Sequence, residues 1–449
     1  MNFDKMGLSP KLLASVERQG YTTATPIQSE AIPLILAGHD VLGCAQTGTG
    51  KTAAFALPTL HRLLHEKQAL RDEGNHQRRS IGVLVLTPTR ELANQVKKSF
   101  ATYGRKTKLR QTVIYGGVSQ NPQVKSLRSG TDIVIATPGR LLDLMNQGHV
   151  KLDDVKVLVL DEADQMLDMG FIHDLKRIVK HVPDDRQTLM FSATMPPEIR
   201  RLSAQWLDNP KTLQSTPEAS TPDKIKQSVT FVNKPKKPSM LIRFLQTTSG
   251  ERNLVFCRTK RGVDRVVRYL RQARIHAMAI HGDKTQRARQ QALEQFSSPR
   301  PPVLVATDVA ARGLHMPDVS SVINYDLPET PETYVHRIGR TARAGAEGAS
   351  ISFCSEDERP YLKRIEKLIK QAVKEQKLTV GDQGTARQDR AQQDDRPVPA
   401  KPRSQNSGSS HGSKINRRKK TSRRPFKSKG PAAGGKKRRG TSRKNKKAV

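Results

Sequence analysis

Between Cys44 and Ala53 the chain reads Ala45-Gln46-Thr47-Gly48-Thr49-Gly50-Lys51-Thr52, a spacing suited to gripping phosphate. Glycines let such a loop curl until backbone N–H groups converge on phosphate oxygens, backed by a helix N-terminus. Lys51 is placed for β- and γ-phosphates and the Thr52 hydroxyl for Mg²⁺. The strict pattern wants glycine where Ala45 stands. Further on, Leu158-Val159-Leu160 runs into Asp161-Glu162-Ala163-Asp164, setting two carboxylates just past an apolar run. Asp161 has the chemistry to hold Mg²⁺, directly or through water, and Glu162 to orient and deprotonate an attacking water. Alone, such acids equally suit the first turn of a helix; the loop upstream favours the nucleotide reading. In His336-Arg337-Ile338-Gly339-Arg340-Thr341-Ala342-Arg343, three arginines at three-residue spacing share a helical face. A solvated basic face explains that spacing as readily as a phosphate partner does.

These groups need a scaffold that holds loop and acids side by side. Asp40–Cys44, Ile81–Leu86, Asp132–Ala136, Val155–Leu160 and Thr188–Phe191 are short, apolar on both faces and rich in branched residues. That is how central strands of a helix-covered parallel sheet read. Helical repeats lie between them, as in Thr52–Leu64, where Ala53, Leu57, Leu60 and Leu64 recur. The rhythm returns at Asn253–Phe256, Ala277–Ile280, Val303–Ala306 and Ser321–Asn324, and a last helix is predicted from Asp357 to about Lys377. Two α/β units follow, with ligand loops at the carboxyl ends of their strands. The division is 1–214 for the first lobe, 215–226 for a polar linker holding Pro217 and Pro222, 227–380 for the second lobe and 381–449 for a tail.

A net charge of +37 and a pI near 10.4 point to a polyanionic partner. From residue 401 onward there are nineteen Lys or Arg and no acid, so the tail is expected to be disordered. It reads as a flexible tether for nucleic acid or as a plain solvated polycation. No apolar run of membrane length and no apolar signal core at Met1–Lys5 is present, so a cytoplasmic setting and no membrane partner are expected. Cys44, Cys257 and Cys354 are far apart and read as buried thiols rather than a metal or disulfide framework.

The ordered run of these motifs from Phe3 to about Phe353 resembles a DEAD-box RNA helicase, most closely the bacterial RhlE-type group. The resemblance implies two tandem RecA-like domains, ATP and Mg²⁺ as cofactors, and Ala45 as an accepted variant. It implies an adenine-reading element in Thr25-Pro26-Ile27-Gln28, with Gln28 on the base edge and Phe3 as a stacking face; a core anchor is the alternative for Phe3. Lys51, Glu162, Arg340 and Arg343 would be catalytic, the two arginines reaching the γ-phosphate across the cleft. Coupling of hydrolysis to strand separation would pass through Asp164, Ser192, Thr194, His336 and Arg337, with Arg337 tied to the first lobe's acids. From the residues alone, Ser192 and Thr194 would instead cap a helix.

Further implied positions face RNA: Arg90, Gly117, Thr137 and Arg140 in the first lobe, and Arg258, Gly282, Asp283, Gln286, Arg289, Thr307 and Asp308 in the second. Such groups grip phosphate and ribose and carry little base information, so binding should be sequence-tolerant and salt-sensitive. Two departures stand out. Ala342 replaces a common glycine, a small-for-small change expected to matter little. His315 stands where the family usually has an aspartate expected at the ATP ribose, which predicts weaker or more pH-sensitive nucleotide coupling. The expected activity is RNA-stimulated ATP hydrolysis coupled to local duplex remodelling, with ribosome-assembly or RNA-degradation proteins as candidate partners. A non-enzymatic RNA annealer and a DNA translocase are the competing classes.

Overall fold

The computed structural model describes residues 1–45, 48–73, 79–214, 225–311, 319–342 and 347–376. Met1–Gly381 cluster as one compact unit holding two sheets; the tail from 382 lies outside the described residues. The first sheet comprises β1 Val41–Cys44, β2 Val83–Leu86, β3 Gln111–Ile114, β4 Ile133–Ala136, β5 Val157–Leu160, β6 Gln187–Ser192 and β7 Lys211–Gln214. Its order is β3-β4-β2-β5-β6-β1-β7. The second comprises β8 Ile225–Phe231, β9 Asn253–Phe256, β10 Ala277–Ile280, β11 Val303–Ala306, β12 Ser321–Asn324, β13 Gly348–Cys354 and β14 Lys374–Glu375, in the order β10-β11-β9-β12-β13-β8-β14. Every neighbouring pair is parallel, as in β2 against β5 and β12 against β9.

The apolar strand runs are explained by burial on both faces. In the first sheet Val83, Val85, Val157 and Val159 enter one core, while Leu84, Leu86, Leu158 and Leu160 enter the opposite one. Val255, Val305 and Ile323 divide from Leu254, Leu304 and Val322 in the same way in the second sheet. All three cysteines are buried and none is joined in a disulfide.

Several boundaries differ from the sequence reading. β8 opens at Ile225, two residues inside the expected linker, of which 215–224 lie outside the described residues. The last helix runs only from Arg359 to Ile369, preceded by a 3₁₀ turn at Glu356–Glu358. It ends because Lys370 turns left-handed (φ 53°) and the chain then pairs as β14 on β8.

The carboxyl edges of the two sheets match strand for strand. Arg90, Gly117 and Thr137 follow β2, β3 and β4, adjacent strands at one end of the first sheet. Arg258, Asp283 and Thr307 follow β9, β10 and β11, the equivalent trio of the second. The phosphate loop and acid pair follow β1 and β5, toward the other half of the first sheet.

Candidate nucleotide site and its cross-lobe contacts

A cleft of about 360 Å³ is lined by Gln28, Gly48, Gly50, Lys51, Thr52, Asp161, Glu162 and, from the second lobe, Arg340. The loop leaves β1 and enters the helix Lys51–Asp72. Gly50 is obligatory there: its φ is +92°, and a Cβ would collide with the Gln28 amide. Lys51, buried, donates from Nζ to the Ala45 carbonyl at 2.6 Å. Thr49 lies beside these residues, while Gln46 and Thr47 lie outside the described residues.

Asp161 and Glu162 are fully shielded at the end of β5. Burial pushes both carboxyls above the ordinary range. Lys51 pulls Asp161 back; for Glu162, Asp161 adds to the rise while Lys51 and Arg340 oppose it. Asp161 Oδ1 and Glu162 Oε2 are buried oxygens without a hydrogen-bond partner, a donor set that fits a hard divalent cation and a positioned water. Glu162 sits at φ 56°, ψ 52°, a left-handed backbone that costs a non-glycine residue about 1–2 kcal/mol.

Asp164 gathers the residues expected to couple hydrolysis to strand separation. Its Oδ2 accepts from the Ala193 and Thr194 N–H groups at 3.2 and 2.9 Å and from the Thr194 hydroxyl at 2.9 Å. The Ser192 hydroxyl accepts from Asp164 N–H and donates to the Thr194 carbonyl. Ser192 and Thr194 therefore wrap an acid instead of capping the helix Pro197–Trp206. His336 Nε2 reaches to 4.0 Å of Asp164 Oδ2 from the second lobe.

Arg337 departs from expectation. Its guanidinium, 1% exposed, grips Asp308 within its own lobe at 2.5 and 2.8 Å, donates to Asn324 Oδ1 and the Asp326 carbonyl, and lies over the Phe256 ring. Burial so deep demands a full set of partners, and these are local. His336, not Arg337, faces the first lobe's acid.

One adenine-reading expectation is also corrected. Phe3 is buried in the core beside Met6 and Leu12 and does not line the cleft. Gln28 does line the cleft, its amide accepting from Thr25 N–H at 3.0 Å and donating to the Gly50 carbonyl at 3.1 Å. Tyr21 and Tyr103 supply the aromatic lining instead. Sequence reasoning does not find the helix Arg90–Tyr103, whose Leu92, Gln95, Ser99 and Tyr103 line the cleft at helical spacing. The spacing is visible in the sequence; the direction it faces is not.

Of the expected RNA positions, Arg90 packs into the space left by Gly117, whose φ is +73°. Arg140 donates to the Val118 carbonyl, and Thr137 precedes the helix Pro138–Asn146. Gln286 and Arg289 are not free for a ligand, because both reach across the cleft to Glu91. Gln286 Nε2 donates at 3.0 Å and Arg289 Nε at 2.8 Å, with a second Arg289 contact at 2.7 Å. Arg258 bonds Glu358 and the Leu327 carbonyl, Asp283 pairs with Lys260, and Asp308 is held by Arg337. Arg343 and His315 lie outside the described residues. Ala342 takes φ 55°, so the exchange for glycine is strained and not neutral.

Residues of both lobes line this one cleft, the architecture of a two-lobed nucleotide hydrolase. A family profile described as DEAD/DEAH box helicase matches residues 25–202, and one described as helicase conserved C-terminal domain matches 236–345. The ATP-dependent RNA helicase CshA of Limosilactobacillus reuteri is 44% identical over 82% of this chain and 72% of its own length. CshA of Streptococcus pneumoniae is 45% identical over 83% and 69%. Saccharomyces cerevisiae Dbp5 bound to RNA and ADP BeF3 aligns with a TM-score of 0.73 at 31% identity, across 84% of this chain and 95% of that one. Mss116p bound to ssRNA and AMP-PNP gives 0.76 at 27%, across 84% and 79%. The chain belongs to the DEAD-box family of ATP-dependent RNA helicases.

Proposed function

We propose that this helicase hydrolyses ATP in the cleft between its lobes and uses lobe closure to separate short RNA duplexes locally and without sequence preference. The observation that carries the reading is Arg340, buried in the same cleft as Lys51 and Glu162 although it comes from the other lobe. Lys51 neutralises the phosphates, Glu162 orients and deprotonates the attacking water, and Arg340, with Arg343, stabilises charge developing on the γ-phosphate, a contribution of roughly 10³–10⁵ in rate. Magnesium would be held by Thr52 and Asp161 and would supply charge neutralisation on the phosphate oxygens. Asp164, wrapped by Ser192 and Thr194 and faced by His336, relays closure to the RNA-facing edge.

RNA is read as lying along the matching strand trios, where Arg90, Thr137, Arg258 and Thr307 offer phosphate and ribose contacts. RNA-bound Dbp5 and Mss116p among the similar structures support that reading. The basic tail is read as an RNA tether; deleting 381–449 should flatten the salt dependence of RNA binding and leave kcat near that of the parent. Protein partners in ribosome assembly or RNA degradation and a cytoplasmic setting belong to the same proposal; no described helix is long and apolar enough to cross a membrane. The finer RhlE-type reading stands on the motif run alone, beside relatives that carry the name CshA.

The deciding experiment is ATP turnover with RNA, with DNA and with neither, in the parent and in Glu162→Gln. RNA-specific stimulation is expected in the parent, and binding without turnover in the variant. Equal stimulation by DNA, or full turnover in the variant, overturns the proposal.

A further inference from the structure

The second-lobe helix Lys260–Gln272 carries a row of cations that neither the nucleotide site nor the cross-lobe contacts use. Val263, Val266, Val267 and Leu270 bury one side of it. Arg261, Arg265 and Arg268 are exposed, at i, i+4 and i+7, which aligns them in one stripe. At ~1.5 Å of rise per residue, Arg265 and Arg268 stand about 6 and 10 Å along the axis from Arg261. That first step is comparable to the separation of successive phosphates on one strand. Among the described residues none of the three arginines forms an ion pair, and the helix's single acid, Asp264, is occupied by Lys284 at 2.9 Å and His281 at 3.2 Å.

The stripe begins where the expected RNA cleft ends. Arg258 precedes the helix, and the Thr259 hydroxyl caps it by accepting from Gly262 N–H at 3.0 Å. Lys260 Nζ meets Asp283 Oδ1 at 2.6 Å, and the Lys260 stem lies against Gly282. Two of the second lobe's RNA-facing elements thus converge on the helix's first turn. Tyr269, 36% exposed and four residues after Arg265, adds an accessible ring to the same side.

We propose that this face is a second RNA track, taking the backbone phosphates of the strand or duplex arm that runs out of the cleft. The proposal rests on the cleft reading above. Guanidinium groups keep their charge at any working pH and present paired N–H donors to phosphate oxygens. A straight row of them, continuous with a phosphate-gripping cleft, fits a polyphosphate backbone better than an acidic protein surface, which would need apolar anchors beyond one tyrosine. The track reads charge and spacing, not bases.

The test replaces all three with glutamine (Arg261→Gln, Arg265→Gln, Arg268→Gln) in the full chain, since glutamine retains helix propensity. Affinity is measured across a salt series for a short single strand that only fills the cleft, and for the same strand carrying a duplex arm. The tail is present in both proteins and cancels from the comparison. For the armed RNA the slope of log K against log salt should shrink by about 0.7–0.9 for each phosphate no longer neutralised, about 2–3 in all. Affinity for the short strand and RNA-saturated ATP turnover should stay at the parent's values. An equal loss on both RNAs would place the arginines in the cleft or the fold, and an unchanged slope on both would leave a solvated face or an acidic protein site; either result overturns the track. Binding of the short strand by the parent reports separately on the cleft.

Discussion

Glu162 concentrates two costs in one residue. Its backbone is left-handed, and its carboxyl is buried beside Asp161, with Lys51 and Arg340 among the described residues to offset the charge. A carboxyl whose folded pKa stands above its unfolded value binds protons more tightly in the fold. Stability therefore falls as pH rises from the ordinary carboxylate range through the raised value. Glu162→Gln keeps the shape and strain but removes the charge. It should raise the Tm at pH 8, by roughly 2–4 °C for each kcal/mol relieved, and give no gain at pH 4. Calorimetry at both pH values checks this, and an equal Tm for parent and variant at pH 8 would mean that the charge carries no burial penalty. Catalysis should run the opposite way with pH, since a base with a raised pKa loses turnover as pH drops through that value.

Elements are legible where composition dictates them. β4 and β5 announce themselves because both faces are buried, so every position is branched or apolar. β3, β7, β8, β13 and β14 escape a reading of the sequence for the converse reason. β7, at a sheet edge, exposes Lys211, Thr212 and Gln214, and β13 carries small polar residues that read as loop. The phosphate loop and acid pair are readable because neighbouring residues do the chemistry; Tyr21 and Tyr103 are not, because packing alone brings them in. Asp132 belongs to this second kind. Fully buried before β4, it pairs with Lys67 of the helix Lys51–Asp72 and with Arg79, and accepts from Arg110 N–H at 2.6 Å. It fastens three separate segments to one sheet edge. Asp132→Ala should destabilise the first lobe by about 3 kcal/mol, the low end for a broken buried pair because both cations can turn to water. A denaturant midpoint reads the loss, while ATP turnover per folded molecule should be retained; a midpoint within error of the parent's would show the pairings to be energetically idle.

On the proposed reading neither lobe holds a complete catalytic site, so the cross-lobe contacts would decide when the chemistry is assembled. Contacts between the lobes among the described residues include Arg340 into the nucleotide cleft, His336 toward Asp164, and Arg289 with Gln286 onto Glu91. The last is the best formed, with Glu91 and Arg289 both buried and joined by one hydrogen bond and a second ion-pair contact. It lies one residue from Arg90, and on the proposed RNA path it would join strand engagement to closure. In Arg289→Ala the assembled arrangement would hold a buried carboxylate that keeps the Gln286 hydrogen bond but loses its arginine counter-charge, a penalty of about 3 kcal/mol, the low end for a broken buried pair, borne only when the lobes meet. ATP and RNA both favour the met state, so their mutual reinforcement should collapse by at least roughly a hundredfold, and by the same factor in each direction. The measurement is RNA affinity with and without a non-hydrolysed ATP analogue, and analogue affinity with and without RNA. Each ligand's affinity alone should change little. Pairing Glu91→Arg with Arg289→Glu should recover part of the coupling by restoring the ion pair in reverse. If Arg289→Ala instead weakens RNA binding equally with and without nucleotide, the arginine is a phosphate ligand and the lobes are held together elsewhere.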